Sequence, residues 1–159
     1  MTMERYKRIF KENFSYDLKK NYDHFNKIFF KNELPDIHPQ WNSSLRVTGG
    51  QSFPLKKEKN IIGLEKIEIS SNLNKFIKEE ILNDVYDIIL IHEMIHGWIY
   101  IKYGKVKIDH GKEFKDKMKE INSIKPLKFL DTHKFTQMII PNEYWLATNK
   151  NKLNTNLIG

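Results

Sequence analysis

The sequence predicts an α+β domain in which a small, mostly antiparallel sheet packs on one buried helix, with two further helices completing the core. Three observations lead there. Large apolar residues recur three or four apart at Phe14, Leu18, Tyr22, Phe25 and Phe29, the spacing of a helical stripe. Partial and then clean alternation of polar and apolar residues follows between Trp41 and Ser70, the period of half-buried strands. An apolar run over residues 85–103 then carries His92-Glu93-Met94-Ile95-His96, a length that suits a buried helix and not a strand.

With 159 residues, 40% hydrophobic and 13% aromatic, the chain suits one globular domain with a real core. Residues 1–147 are expected to form it, and 148–159, rich in Asn and Lys, to form a flexible tail. No stretch reaches the roughly 18 uninterrupted apolar residues of a membrane span, and the charged start lacks an apolar signal region. A cytoplasmic monomer without membrane contact is therefore expected. Cysteine is absent, which excludes disulfides, thiolate catalysis and cysteine-held zinc. Any metal must be held by His and carboxylate. The net charge of +7 would attract a polyanion. Only Arg5, Arg8 and Arg46 among the 27 basic residues are arginine, so the excess reads equally as a solvated lysine surface and as a DNA-binding face.

Taken in order, Ser15 is the expected N-cap of the first helix, and Asn32 and Pro35 end it. Residues 41–48 read as a strand closed by Gly49-Gly50, a pair that marks a turn, a bulge or a close backbone approach. Gln51, Ser52 and Phe53 resume the strand. Residues 56–60 form a charged turn, and Ile61-Ile62-Gly63 leads into the alternating strand 66–70. A connection over 71–83 includes a short helical piece near 76–82. Asn83 is the expected cap of the central helix, Asp84 and Asp87 complement its dipole, and Gly104 stops it. A third helix over 111–122 turns Phe114, Met118 and Ile121 inward, residues 128–138 read as a further strand, and Tyr144 and Trp145 are expected to pack back on the core.

The central helix carries the chemistry. Positions i and i+4 share a helix face, so His92 and His96 can close on one metal ion with Glu93 beside it. Imidazole suits Zn²⁺, and a carboxylate that does not ligate can take a proton from water activated by the metal. Burying these three groups would cost free energy unless they were paired or metal-bound. Gly97 costs the helix about 1 kcal/mol relative to alanine, so something must pack closely just after His96. A catalytic zinc needs three protein ligands and an open position. His110, at the start of the third helix, is the best third ligand, with Glu113 and Glu120 as alternatives. An extended substrate would lie along an exposed strand edge near Arg46, Gly49 and Gly50, whose glycines allow close approach. Tyr100, Tyr103 and His133 are candidates for stabilising the oxyanion.

With these residues in view, the chain resembles the SprT-like family of zinc metalloproteases, the catalytic domain of Spartan-type DNA-protein crosslink proteases and of bacterial SprT proteins. Phe25, Phe29, Phe30 and Leu34-Pro35 look like the family's opening helix and its exit. Trp41-Asn42-Ser43-Ser44-Leu45-Arg46 before Gly49-Gly50 looks like its Trp-Ser and Arg strand, and Ile67-Glu68-Ile69-Ser70 like the strand before the active-site helix. His92 to Gly97 matches HExxH followed by a small residue, His110-Gly111-Lys112-Glu113-Phe114 matches the HGxxF element, and Thr132-His133-Lys134-Phe135 resembles the His-x-Phe piece. The resemblance implies a compact zincin-like, minigluzincin-type fold, one catalytic zinc with His110 as third ligand, and protein substrates bound or crosslinked to DNA, with single-stranded DNA among the possible activators. Where many members continue into a four-cysteine zinc ribbon, this chain has no cysteine. DNA contact through such a ribbon is not expected. Two rivals follow: a general or regulatory zinc peptidase with no DNA role, and a non-catalytic DNA-associated module, against which the intact Glu93 argues.

Overall fold

A computed structural model describes residues 15–45, 48–75, 77, 79–104 and 111–125. The expected third ligand His110, the candidate substrate contact Arg46, the strand read over 128–138, and the tail lie outside the described residues, as do His133, Tyr144 and Trp145.

Helix α1, Leu18–Phe29, turns Leu18, Tyr22, Phe25 and Phe29 into the core. Its cap is Asp17 and not Ser15, because the first buried residue is Leu18 and the cap stands immediately before it. The Asp17 carboxylate accepts from the Lys20 backbone N–H at 3.0 Å. Beyond the helix, Lys31 and Asn32 adopt φ of 51° and 57°, the left-handed conformation that reverses a helix end. The exit is then pinned. The Asn26 side chain bonds both the N–H and the C=O of Leu34, at 3.1 and 3.0 Å, and the Tyr22 hydroxyl donates to the Pro35 carbonyl at 2.6 Å.

Three strands follow: β1, Gln40–Asn42; β2, Gly50–Lys57; and β3, Asn60–Ser70. Their order in the sheet is β1-β3-β2. β2 runs antiparallel to β3 over eight residue pairs and β1 parallel to it over three, so the sheet is mostly antiparallel. Of the strand expected over 41–48, residues 41 and 42 are strand and 43–45 are not, while 46 and 47 lie outside the described residues. Asn42 Oδ1 accepts from the Ser44 N–H at 2.8 Å, a side-chain turn that bends the chain out of the ladder. Ser70 Oγ and Asn72 Nδ2 then hold the Leu45 carbonyl at 2.6 and 3.0 Å. Glu58, at φ 57°, makes the charged turn between β2 and β3. Pro54 lies in the edge strand at a register shift, where a missing N–H is tolerated.

A 3-10 turn, Leu73–Lys75, leads to helix α2, Glu79–Tyr103. The helix begins before the expected cap Asn83. Leu82 is buried and has to be presented to the core by regular helix, so the piece read near 76–82 merges into α2. Glu79 and Glu80, not Asp84 and Asp87, occupy the first turn, where negative charge suits the helix dipole. Gly104, at φ 60°, ends α2 as expected, with its N–H on the Tyr100 carbonyl at 3.0 Å.

Helix α2 lies across β3 and β2. A Cβ on Gly97 would stand 2.5 Å from Leu64 Cδ2, which is the close approach its sequence position implied. Helix α3, Lys112–Ile124, buries Phe114, Lys117 and Ile121, and Met118 packs at the margin of the core. The result is the small α+β architecture expected, with three α-helices and a three-stranded sheet among the described residues and the HExxH residues drawn together as in a zincin-like fold. Among the described residues no helix is long and apolar enough to cross a membrane.

Candidate metal centre

His92, Glu93 and His96 come from consecutive turns of α2, and all three are buried, at 2%, 2% and 8% exposure. Their ligand atoms lie within 4.8 Å of one another. The two Nε2 atoms are 3.2 Å apart. Two imidazole nitrogens on one tetrahedral zinc, with bonds of about 2.0–2.1 Å, would be about 3.3–3.4 Å apart. The pair therefore needs almost no movement to share an ion. Phe114 of α3 covers both rings, its centroid 4.7 Å from that of His92 and 4.9 Å from that of His96. An apolar wall of this kind lowers the local dielectric and strengthens electrostatic interactions beside it.

Glu93 is held on its other side by β2. Inward-facing positions on a strand alternate, and on β2 they include Gly50 and Ser52. A Cβ on Gly50 would meet Glu93 Cγ at 3.0 Å, and Ile69 Cδ1 and Ile89 Cγ2 at 3.1 Å, so glycine leaves the space that Glu93 occupies. The Ser52 hydroxyl lies 2.7 Å from Glu93 Oε2 and 2.7 Å from the Glu93 backbone oxygen. Glu93 Oε1 is buried with no hydrogen-bond partner among the described residues. Burial pushes the Glu93 carboxyl up to about 8, with the Ser52 hydrogen bond pulling the other way. A buried, half-satisfied carboxylate next to two imidazoles fits a nearby cation, since native proteins rarely leave such an oxygen orphaned. The donor set, two neutral nitrogens and an acidic neighbour, fits zinc.

The sequence reading placed these three residues together, and the structure does so as well. Of the candidate substrate contacts, Gly49 and Gly50 are buried at the start of β2, where the Gly49 carbonyl accepts from the Ser70 N–H at 2.8 Å. Neither alternative third ligand, Glu113 or Glu120, joins the cluster among the described residues. Glu120 instead takes the Lys117 ammonium at 2.6 Å. Tyr100 is the candidate tyrosine nearest this machinery. Its hydroxyl donates to the Ser52 carbonyl at 3.4 Å, and burial, with the charge of Glu93 adding, pushes it up to about 12. Tyr103 is exposed and packs edge-on against Trp98. Ser52 went unnoticed in the sequence. Its signal was the period-two step from Gly50, which identifies it only once the strand is known to face Glu93.

A family model of SprT-like proteins matches residues 18–135. The chain belongs to the SprT-like family. The match takes in α1, the sheet, the HExxH helix and α3, so the elements that build the metal centre are those of the family. SprT-like membership and the buried His92-Glu93-His96 cluster together indicate a metallopeptidase-like domain with a potential zinc site. A comparison with curated proteins gives no match.

Proposed function

We propose that this SprT-like chain is a zinc endopeptidase that cleaves proteins bound or crosslinked to DNA. The observation that carries the catalytic part is the HExxH geometry: two imidazoles spaced for one ion and a buried carboxylate with one oxygen unpartnered. His92 and His96 would hold the ion with His110 as third ligand. Zinc, when bound, supplies a Lewis acid that polarises a peptide carbonyl and acidifies water. Glu93 takes the proton of the attacking water on its carboxylate and passes it to the leaving amine nitrogen. A carboxylate whose pKa is raised by burial is suited to both transfers. Phe114 keeps bulk water from the imidazoles. An extended substrate strand would pair along β2, which has one strand neighbour among the described residues, with Arg46, Gly49 and Gly50 as its proposed contacts.

The DNA part rests on the family resemblance and on the charge of +7. Within these 159 residues the lysine-rich surface is what DNA would meet. A general peptidase with no DNA role is the second reading, because the HExxH geometry accounts for peptide hydrolysis without nucleic acid. Cleavage of a DNA-binding protein by the purified zinc-loaded chain, with and without single-stranded DNA and with Glu93→Gln as control, separates the two. The proposal expects cleavage that requires both Glu93 and DNA and that weakens steeply with salt. Glu93-dependent cleavage indifferent to DNA would move the general peptidase ahead, and no cleavage at all would favour a binding module.

A further inference from the structure

We propose that Ser52 is a positioning residue for Glu93. The inference rests on the peptidase reading and adds to it a side chain outside the HExxH motif. A serine hydroxyl has one proton to donate, and two acceptors stand at the same 2.7 Å, the Glu93 backbone oxygen and Glu93 Oε2. The backbone oxygen lies inside α2, where the helical ladder already offers it an N–H four residues on. Oε2 has no such supply, so a hydroxyl proton aimed at it satisfies a buried oxygen, whereas one aimed at the backbone oxygen only adds to a bond already made. The proton therefore goes to Oε2.

Several features fix the hydroxyl where it is needed. Ser52 sits opposite the fully buried Ile67 in the β2–β3 ladder, and its carbonyl receives the Tyr100 hydroxyl. Gly50, the preceding inward position, leaves room for the Glu93 side chain. One inward residue of β2 thus supplies space and the next supplies a donor. With Oε2 anchored, Oε1 is the oxygen left without a partner, and it is the one that exchanges protons with water and the leaving amine. Ser52 does not touch the substrate in this account. It restricts the carboxylate to one orientation beside His92 and His96.

Three substitutions in the full zinc-loaded chain test this. Ser52→Ala is expected to retain one zinc per chain and an unchanged KM while kcat falls about tenfold to a hundredfold, the range for a lost hydrogen bond to a charged group. Ser52→Thr, which keeps a hydroxyl, should recover most of that loss. Ser52→Cys, of similar volume with a weaker donor, should lie between them, which separates hydrogen bonding from packing. Crystal structures give a readout independent of activity: in Ser52→Ala the Glu93 carboxylate should leave the orientation it has in the wild type. An unchanged kcat in Ser52→Ala, or an unmoved Glu93 carboxylate in its structure, would overturn the proposal. Reduced thermal stability with kcat intact would also do so, by assigning the proton to the backbone oxygen. If the wild type hydrolyses no peptide, or Glu93→Gln keeps full activity, the peptidase reading fails instead, and the Glu93 orientation in Ser52→Ala still decides the positioning.

Discussion

Two buried ionisable side chains, Lys117 on α3 and Glu93 on α2, are treated in opposite ways by the residues around them. Lys117 is satisfied: its ammonium meets Glu120 at 2.6 Å and lies over the rings of Phe30 and Trp98, at 5.0 and 4.7 Å from their centroids. Glu93 receives one hydroxyl and keeps one buried oxygen without a partner among the described residues. The first arrangement is what a fold needs to tolerate a charge near its core. The second is the arrangement that the proposed proton-transfer role of Glu93 requires. Burial alone does not mark a functional residue; Glu93 is a candidate because its burial and unmet hydrogen-bonding requirement occur beside two imidazoles spaced for one ion.

The comparison breaks most visibly under substitution. Glu93→Gln should bind zinc as the wild type does and lose about 10²–10⁴-fold in kcat, measured on a peptide substrate at matched zinc content. Lys117→Met should leave kcat of the folded protein within about twofold and instead lower stability by roughly 1–2 kcal/mol by denaturant unfolding. Glu120 is half exposed and stays solvated when its partner is lost, so the larger penalty of a stranded buried charge does not apply. A variant Lys117→Met with greatly reduced kcat would mean the two clusters are not separable.

Metal removal sharpens the same contrast. Zinc at about a thousand times its Kd stabilises the fold by about 4 kcal/mol, so chelation should lower the melting temperature of the wild type. In His92→Ala, which lacks a proposed ligand, a chelator should change it little. Gly97→Ala should act locally and by less. The added methyl meets Leu64 Cδ2 at 2.5 Å, and because Leu64 is buried the repacking should cost about 1–2 kcal/mol beyond the gain in helix propensity. The double variant with Leu64→Ala should show less than the sum of the two single losses.

Much of this was legible in the sequence because it depends on local spacing. The i, i+4 histidines, the stripe of α1, the alternation of β3, and the stop at Gly104 are all read from neighbours along the chain. Even the tight packing at Gly97 announced itself, since a glycine inside a helix needs a reason. What was not legible depends on which of several eligible groups the fold selects. Ser15 and Asp17 are both good caps, and only the burial of Leu18 decides between them. Asn83-Asp84 reads as a helix start, yet the helix begins at Glu79 to bring Leu82 to the core. The strand read from Trp41 runs from Gln40 only to Asn42, whose own side chain ends it. Ser52 is one serine among several until β2 is paired with β3 and laid against Glu93.

The stability of the metal-free protein across pH tests the central claim, that Glu93 is held at the expense of the fold. Burial raises its pKa from 4.5 to about 8. Below 4.5 both folded and unfolded chains carry the proton and there is no penalty. As pH rises from 4.5 to 8 the unfolded chain ionises and the folded one does not, so folded stability drains away across this window and levels off above it. Denaturant unfolding of the metal-free wild type and Glu93→Gln at pH 5 and pH 8 reads this directly. The account predicts that the wild type loses stability between the two while Glu93→Gln, which cannot ionise, loses less and is the more stable protein at pH 8. A Glu93→Gln protein that is less stable than the wild type at pH 8, with the same pH dependence, would contradict it and return Glu93 to the role Lys117 plays.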